Sequence, residues 1–252
     1  MCVDCGCGDA ELVPVEVHEN ILAGNDRTAR HNREHFEGGG VTTVNLMSSP
    51  GSGKTALLEA TARLLAGRRR IGVLAGDVET ERDADRLRAV GVPAAAITTG
   101  SACHLDAEMV HRALHDFVWR GLDYLFVENV GNLVCPAIYD LGQEANVVAL
   151  SVTEGEDKPL KYPVMFRKAD LVLLTKTDLL PHLDFSLAAV EDALARVMPE
   201  PRVLRVSART GEGLGAWLAW LESLRGARGG AAAAAAHPPG RQDRHDERHA
   251  LK

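Results

Sequence analysis

The chain has 252 residues, of which 46% are hydrophobic and 25% are charged, and its formal net charge at pH 7 is -7. This length suffices for one sizeable α/β domain with short appendages. The negative charge argues against a broad nucleic-acid surface, and no apolar run approaches the ~18 residues that span a bilayer. We therefore expect small molecules or proteins as partners, with no nucleic acid and no membrane among them.

The five cysteines are unevenly spaced, with three of them close to the N-terminus. An odd and uneven set fits poorly with a disulfide framework. The N-terminal residues also lack the basic segment followed by an apolar segment that marks a secretory signal. We expect a cytoplasmic protein whose cysteines serve metal or redox chemistry.

Residues 1–12 form a short arm that contains Cys2, Cys5 and Cys7. A glycine lets this arm fold tightly around one ion, and removal of Met1 would add an α-amine to the three thiolates. Such a donor set suits square-planar Ni²⁺ or tetrahedral Zn²⁺. A redox pair among these cysteines, or incidental exposed thiols, are the alternatives.

The next two segments differ in their hydrophobic pattern. Residues 13–40 have a charged, helical composition with an interruption at Gly24-Asn25. Residues 41–225 alternate continuous apolar runs with amphipathic stretches, which predicts an α/β fold with a mainly parallel sheet of about seven strands and helices on both faces. Ligands should collect at the carboxyl ends of these strands. The predicted strands are 41–47, 71–75, 94–98, 124–127, 147–152, 171–174 and 203–206.

Residues 226–252 change in composition, with paired glycines, six consecutive alanines, two prolines and a mixed-charge run. This composition predicts a disordered tail. Histidines scattered in such a tail are mostly solvated, so we assign no metal site to them. The i,i+4 pairs His31/His35 and His111/His115 are likewise usually surface residues and receive no role.

A phosphate-binding signature follows the first predicted strand. The run Ser-Ser-Pro-Gly-Ser-Gly-Lys-Thr at 48–55 opens a helical pattern, as in a strand, a phosphate loop and a helix. Lys54 can reach the β- and γ-phosphates and the Thr55 hydroxyl can hold Mg²⁺, while Ser48 replaces the usual first glycine. The residues assigned to nucleotide binding in this segment are Pro50, Gly51, Ser52, Gly53, Lys54, Thr55 and Ala56.

Three later segments match a GTPase in their order and strand context. Glu128 ends the fourth strand, where a carboxylate can act on the Mg²⁺ shell, and Gly131 leaves an N–H for the γ-phosphate. Lys176 and Asp178 follow the sixth strand, and the aspartate can accept the N1–H and 2-amino hydrogens of guanine, which adenine cannot offer. After the seventh strand, backbone N–H groups of Ser207-Ala208 can reach guanine O6. These segments predict GTP as the nucleotide.

Catalysis is assigned to Lys54, Thr55, Glu128 and Asp77. Asp77 ends the second strand and can hold Mg²⁺ or the attacking water, although a strand-end cap is the alternative. Thr175 stands where asparagine is usual, which should weaken base discrimination modestly. No arginine finger or water-orienting glutamine is evident near the switch segments, so hydrolysis should be slow.

A second metal site is predicted at Cys103, His104 and Cys135. These residues follow the third and fourth strands, so they should face the carboxyl edge of the sheet. Three donors leave one position for water or for a ligand from a partner chain. The alternative is that the cysteines merely pack and that His104 caps a helix.

Across about residues 1–225 the chain resembles the nickel-insertion GTPases of hydrogenase maturation, the HypB-type family. The resemblance implies a GTP-hydrolysing metallochaperone that forms a nucleotide-dependent homodimer and helps insert Ni²⁺ into a [NiFe]-hydrogenase large subunit. It also implies an accessory nickel-binding protein as partner, a tight site in the arm, and a weaker Ni²⁺ or Zn²⁺ site at Cys103, His104 and Cys135. The segments that carry the resemblance are 2–7, 25–33, 45–55, 99–106 and 128–136.

Rival functions remain open at this point. A related GTPase that serves urease has the same loop architecture, and one that escorts cobalamin enzymes is similar. Neither explains the cysteine arm. A nucleotide-gated metal store or sensor without a delivery target belongs to a different class and is the remaining alternative.

Overall fold

The computed structural model describes residues 15–236, and the side chains of residues 21–227. Seven strands and eight α-helices form this part of the chain. The strands are β1 (Thr42–Ser48), β2 (Ile71–Asp77), β3 (Ala94–Thr98), β4 (Tyr124–Glu128), β5 (Ala145–Ser151), β6 (Leu171–Thr175) and β7 (Val203–Arg205). The helices are α1 (Val15–Gly39), α2 (Lys54–Leu65), α3 (Arg82–Ala89), α4 (Ala107–Asp116), α5 (Lys158–Lys161), α6 (Pro163–Arg167), α7 (Leu187–Val197) and α8 (Leu214–Ala236).

The strands form one parallel sheet in the order β3-β2-β4-β1-β5-β6-β7. This confirms the predicted seven-stranded parallel sheet. Strands β1, β4 and β6 are buried along their whole length, as expected for strands covered on both faces. Since β1 lies between β4 and β5, the carboxyl ends of β1 and β4 bring Ser48 and Glu128 to the same edge of the sheet.

Three apolar clusters cover the two faces. On one face, α2, α3 and α8 pack against the sheet, and Trp217 is fully buried there with its Nε1 donating to Thr61 Oγ1 at 2.9 Å. On the other face, α1 and α4 cover the half that contains β2 and β4, around Phe36 and Trp119. Helices α6 and α7 cover the half that contains β5 and β6, around Phe166.

Helix α1 runs without a break through Gly24-Asn25, where the sequence indicated an interruption. Asn25 is held by tertiary hydrogen bonds that compensate for its modest helix propensity. Its Nδ2 donates to the Asp140 carbonyl at 2.8 Å, and its Oδ1 accepts from the Ala107 N–H at 2.9 Å. That N–H begins α4 and would otherwise lack an intrahelical partner. Asn25 therefore fastens α1 to two separate loops.

The same helix makes further contacts one and two turns later. Asn32 is fully buried and donates through Nδ2 to the carbonyls of Ala107 and Leu141, at 2.9 and 3.2 Å. Arg33 binds both carboxylate oxygens of Asp140, at 2.9 and 2.8 Å. A Cβ at Gly142 would lie 2.6 Å from the carbonyl oxygen of Ala29, so only glycine permits this close approach. Helix α1 is thus part of the folded domain.

Helix α8 continues through Gly226, where composition predicted the tail to begin, and ends at Ala236. The alanine run 231–236 has the highest intrinsic helix propensity, which favours this extension. The rest of the predicted tail, 237–252, lies outside the described residues, as do residues 13–14 of the predicted helical segment. Within the described residues, no helix combines the length and apolar character needed to cross a bilayer.

Candidate nucleotide and metal site

The loop between β1 and α2 has the conformation that its glycines predict. Gly51 and Gly53 adopt positive φ angles of 74° and 97°, which side chains with a Cβ disfavour. Gly131 lies in the loop that follows the neighbouring strand β4 and is packed directly against this glycine loop. A Cβ at Gly131 would be 2.9 Å from both N and Cα of Pro50. The two segments predicted to surround the γ-phosphate therefore touch.

Lys54 is buried at the start of α2, with 8% of its surface exposed. Its Nζ donates to Ser48 Oγ at 2.8 Å. Burial lowers the pKa of Lys54, while the nearby carboxylates, Glu128 first among them, oppose this shift. Ser48 thus supplies a polar partner for the lysine at the position where glycine is usual.

The Thr55 hydroxyl contacts two carboxyl groups, Glu128 Oε1 at 2.7 Å and Asp83 Oδ1 at 2.9 Å. Glu128 is 3% exposed, and burial raises its pKa to about 7 against the opposing effects of Lys54 and Thr55. Its second oxygen, Oε2, is buried with no hydrogen-bond partner among the described residues. Hard oxygen donors around an unsatisfied carboxylate oxygen fit Mg²⁺.

These groups line a cavity of about 410 Å³, together with Asp77. The Asp77 Oδ1 accepts from the Val78 N–H at 2.6 Å, and Oδ2 accepts from the Thr80 hydroxyl. Asp77 therefore caps the end of β2 and also faces the cavity. Asp83 escaped the sequence prediction because its place beside Thr55 depends on how α3 folds back across the loop.

A second cavity, of about 250 Å³, adjoins the first and is lined by Asp178 and Ala208. Asp178 Oδ1 accepts from Ser207 Oγ at 2.6 Å, which orients the carboxylate. The Ser207 N–H donates to the Glu212 carbonyl at 3.0 Å. The predicted contact of the Ser207-Ala208 backbone N–H groups with guanine O6 stays a prediction, and in this structure the Ser207 N–H is bonded to Glu212.

Thr175 and Lys176 connect this second cavity to the phosphate loop. Thr175 Oγ1 donates to the Ser52 carbonyl, and Lys176 Nζ donates to the Gly51 carbonyl, each at 2.6 Å. Lys176 has a φ of 58°, the one positive value at a non-glycine position among the described residues. Such a conformation is strained for a lysine and needs support from its surroundings. The Thr175 side chain thus bonds directly to the backbone of the phosphate loop.

The predicted metal ligands Cys103, His104 and Cys135 come together in space, with their ligand atoms all within 4.8 Å of one another. The two sulfurs are 3.1 Å apart, beyond the ~2.05 Å of a disulfide bond, and Cys103 Sγ lies 3.9 Å from His104 Nδ1. The His104 ring stacks on Tyr139 with centroids 4.1 Å apart, and burial lowers the pKa of His104. Two thiols and a neutral imidazole are ligands that Ni²⁺ and Zn²⁺ accept. Cys2, Cys5 and Cys7 lie outside the described residues.

Asn129 joins the nucleotide cavity to this cluster. It is 1% exposed and directly follows Glu128. Its Oδ1 accepts from the Leu105 N–H at 3.1 Å, and its Nδ2 donates to Asn45 Oδ1 at 3.2 Å. Asn129 therefore ties the loop of Cys103 and His104 to the end of β4 and to β1. The position of Asn129 beside Glu128 in the sequence did not indicate these hydrogen bonds.

The sheet order, the glycine loop between β1 and α2, and the two adjoining cavities define a P-loop nucleotide-binding protein. A family model described as CobW/HypB/UreG, nucleotide-binding domain, matches residues 42–205. The chain belongs to this family and, within it, to the HypB-type proteins, as the following similarities show.

A relative named hydrogenase maturation factor HypB from Azotobacter chroococcum mcd 1 is 57% identical over 207 residues, covering 81% of this chain and 67% of the relative. The protein of the same name from Escherichia coli K12 is 48% identical over 204 residues, covering 81% and 70%. The crystal structure of HypB from Helicobacter pylori in complex with nickel is also similar. It has a TM-score of 0.76 and 41% sequence identity, and the match covers 80% of this chain and 95% of that one.

Proposed function

We propose that this chain is a GTP-hydrolysing nickel metallochaperone that helps insert Ni²⁺ into the large subunit of a [NiFe]-hydrogenase. The observation that carries the proposal is the segment 128–135, which contributes Glu128 and Gly131 to a nucleotide cavity and Cys135 to a thiol-imidazole cluster. A change at the γ-phosphate can therefore reach a metal ligand through the eight residues of this continuous segment. The choice of a hydrogenase as the acceptor rests on the relatives, which are named hydrogenase maturation factor HypB.

In this proposal Lys54 leaves Ser48 and binds the β- and γ-phosphate oxygens of GTP. Thr55, Glu128 and Asp77, joined by Asp83, hold Mg²⁺, which would neutralise charge that develops on the phosphates. Glu128 gives up its proton when it binds a cation, because its raised pKa reflects burial without enough positive charge nearby.

Hydrolysis is expected to be slow. Arg86 lines the nucleotide cavity, but its guanidinium is bound to Glu59 at 3.0 Å and lies 3.6 Å from Asp83. It is therefore engaged elsewhere rather than aimed at the phosphates. Within the described residues that line the phosphate cavity, Arg86 is the arginine that could serve as a finger after rearrangement, and another chain is a second source.

Guanine specificity is assigned to Asp178, which Ser207 orients for the N1–H and 2-amino hydrogens of the base. The links from Thr175 and Lys176 to the phosphate loop hold the base cavity and the phosphate cavity in one arrangement. The base cavity is thus preorganised before the nucleotide arrives.

The cargo is Ni²⁺, held at Cys103, His104 and Cys135, a set that also accepts Zn²⁺. A second copy of the chain in a nucleotide-dependent homodimer can complete the coordination. Cys2, Cys5 and Cys7 form a separate, tighter site that does not need the sheet, and an accessory nickel-binding maturation protein exchanges the ion. We place the activity in the cytoplasm, where the odd, uneven set of cysteines stays reduced.

A reconstituted transfer tests this function. The purified full chain is loaded with Ni²⁺ and incubated with a nickel-free hydrogenase large subunit, with GTP or GDP, and the nickel in the separated large subunit is measured. We expect faster transfer with GTP and loss of that stimulation in Lys54→Ala, while Lys168→Ala, a change at an exposed lysine, behaves as the parent. Equal transfer with and without the chain would contradict the proposal.

The same assay can be run with nickel-free urease as the acceptor. A relative from Helicobacter pylori, 43% identical over 204 residues, is named hydrogenase/urease maturation factor HypB. Replacing the hydrogenase subunit by nickel-free urease separates the two functions, since the proposed one predicts GTP-dependent transfer only to the hydrogenase subunit. Release of nickel to neither acceptor would favour a metal store.

A further inference from the structure

Three histidines from two helices meet on the face of the domain that α1 and α4 cover. His31 and His35 lie one turn apart on α1, and their Nε2 atoms are 3.0 Å apart. His111 lies on α4, with its ring centroid 5.1 Å from that of His31 and 5.9 Å from that of His35. One ring nitrogen from each residue falls within 4.8 Å of the other two. The sequence showed only the i,i+4 pairs His31/His35 and His111/His115, because the cluster forms when α1 and α4 pack together.

The distances suit a shared ion. Imidazole nitrogens bind Zn²⁺ at ~2.0–2.1 Å, so two nitrogens on one ion lie about 3.0–3.4 Å apart. The His31 and His35 nitrogens already have that spacing. A modest rotation of the His111 ring closes the remaining gap, because its side chain is only half-buried.

Asn32 fixes the tautomer of the His111 ring. The Asn32 Nδ2 donates to the carbonyls of Ala107 and Leu141, which identifies its Oδ1 as the acceptor in the 3.0 Å contact with His111 Nδ1. Nδ1 therefore carries a hydrogen, and in the neutral ring the lone pair lies on Nε2. A histidine that binds a metal usually donates its other ring N–H to an acceptor, and the amide oxygen of Asn32 is such an acceptor here.

The surroundings leave the cluster accessible. His31 is exposed, and a cavity of about 150 Å³ opens beside His35 and His111.

We propose that His31, His35 and His111 bind one divalent late transition-metal ion, such as Zn²⁺ or Ni²⁺, at a site separate from both cysteine sites. Three imidazoles leave a further position for water. The ion would join α1 to α4 and thereby stabilise the packing of α1 on the domain. The proposal does not depend on nucleotide hydrolysis or on nickel delivery.

The main test uses the full chain with all five cysteines replaced by serine, so that thiol sites cannot compete. Zn²⁺ binding is measured by calorimetry and by the shift in the unfolding midpoint that binding to the folded state produces. We expect one equivalent to bind and to raise the midpoint. His31→Ala and His111→Ala should each weaken this binding about tenfold or more.

His115→Ala is the matched control. His115 lies one turn after His111 on the same helix, with the two ring centroids 5.0 Å apart, but it is outside the cluster. It should bind as the parent does, and the histidines of 237–252 are common to every variant. Equal affinity of His31→Ala and His115→Ala, or no binding at all by a folded parent, would overturn the proposal.

A second experiment does not rely on folding of the cysteine-free chain. His31→Ala and His115→Ala are made in the chain with its cysteines intact, and bound Zn²⁺ is counted by equilibrium dialysis. The proposal requires one equivalent fewer in His31→Ala. Equal stoichiometry in the two variants contradicts it.

Discussion

The nucleotide cavity and the Cys103-His104-Cys135 cluster share one segment, yet they are prepared differently for a charged ligand. The cavity already contains Lys54 and Glu128, two buried ionisable groups that partly compensate each other. The cluster consists of thiols and a buried imidazole whose pKa is lowered. Ligand binding in the cavity exchanges one charged partner for another, whereas metal binding in the cluster must displace protons from the thiols. Buried charge and soft neutral donors thus lie within a few residues of each other.

Removing the cavity's positive charge should have the largest effect. Lys54→Ala takes away the group that reaches the β- and γ-phosphates, so GTP hydrolysis should fall by about 100-fold or more. Metal binding at the cluster in the absence of nucleotide should not change. Steady-state phosphate release measures GTP hydrolysis, and Ni²⁺ titration measures metal binding. A Lys54→Ala chain that hydrolyses GTP at the parental rate would contradict the role proposed for Lys54.

The buried carboxyl of the cavity predicts a pH dependence of stability. The pKa of Glu128 is about 7 in the folded chain against an ordinary 4.5, so the folded state holds a proton that the unfolded state releases between these values. This stabilisation is fully present below the unfolded pKa and is lost as the pH rises through 7, a change on the order of 3 kcal/mol. Glu128→Gln, which stays neutral, should flatten the dependence.

Urea unfolding from pH 4 to 8, without Mg²⁺ or nucleotide, measures this slope. Glu108→Gln is the control, because its side chain lies on an exposed helix surface. Parallel pH curves for the parent and Glu128→Gln would mean that Glu128 is not protonated in the folded state.

The nucleotide preference should change when one carboxylate oxygen of Asp178 is replaced by an amide nitrogen. Asp178→Asn loses the charge-assisted bonds to guanine, so GTP should bind about tenfold to a hundredfold more weakly, while the new amide can donate to the 2-oxygen of xanthine. Competition between GTP and xanthosine triphosphate measures the change. Ser207→Ala, which only removes the hydroxyl that orients Asp178, should weaken GTP less and gain nothing for the xanthine nucleotide.

The coupling between the two regions should be modest. In a chain without the arm cysteines, the Ni²⁺ affinity of the cluster should differ between GDP and a non-hydrolysable GTP analogue by ~1–3 kcal/mol, typical of linked sites. Asn129→Ala cuts the bonds to Leu105 and Asn45 and should bring the two affinities together. Identical affinities in the parent would mean that the nucleotide state does not control the cluster. An unchanged difference in Asn129→Ala would mean that the coupling does not pass through Asn129.

The sequence predicted the features that lie in one continuous segment, and it missed the contacts between side chains of different elements. The seven strands were located within about two residues because buried parallel strands are continuous apolar runs. The phosphate loop is readable because its chemistry lies within eight consecutive residues. Asp83, Asn129 and the His31-His111 contact escaped because each depends on side chains that approach only after helices pack. The use of the Ser207 N–H by Glu212 depends on how the loop after β7 turns back.

The anchoring of α1 also limits how far the cysteine arm can travel. Seven residues lie between Cys7 and Val15, and these eight residue steps reach at most about 30 Å; α1 adds about 15 Å from Val15 to Asn25. Because Asn25 binds the first residue of α4, just beyond Cys103 and His104, the arm is tethered to the cluster. A tether of this length keeps the two sets of donors at an effective concentration in the millimolar range. An ion that passed between them would therefore move in an intramolecular step, independent of how dilute the protein is.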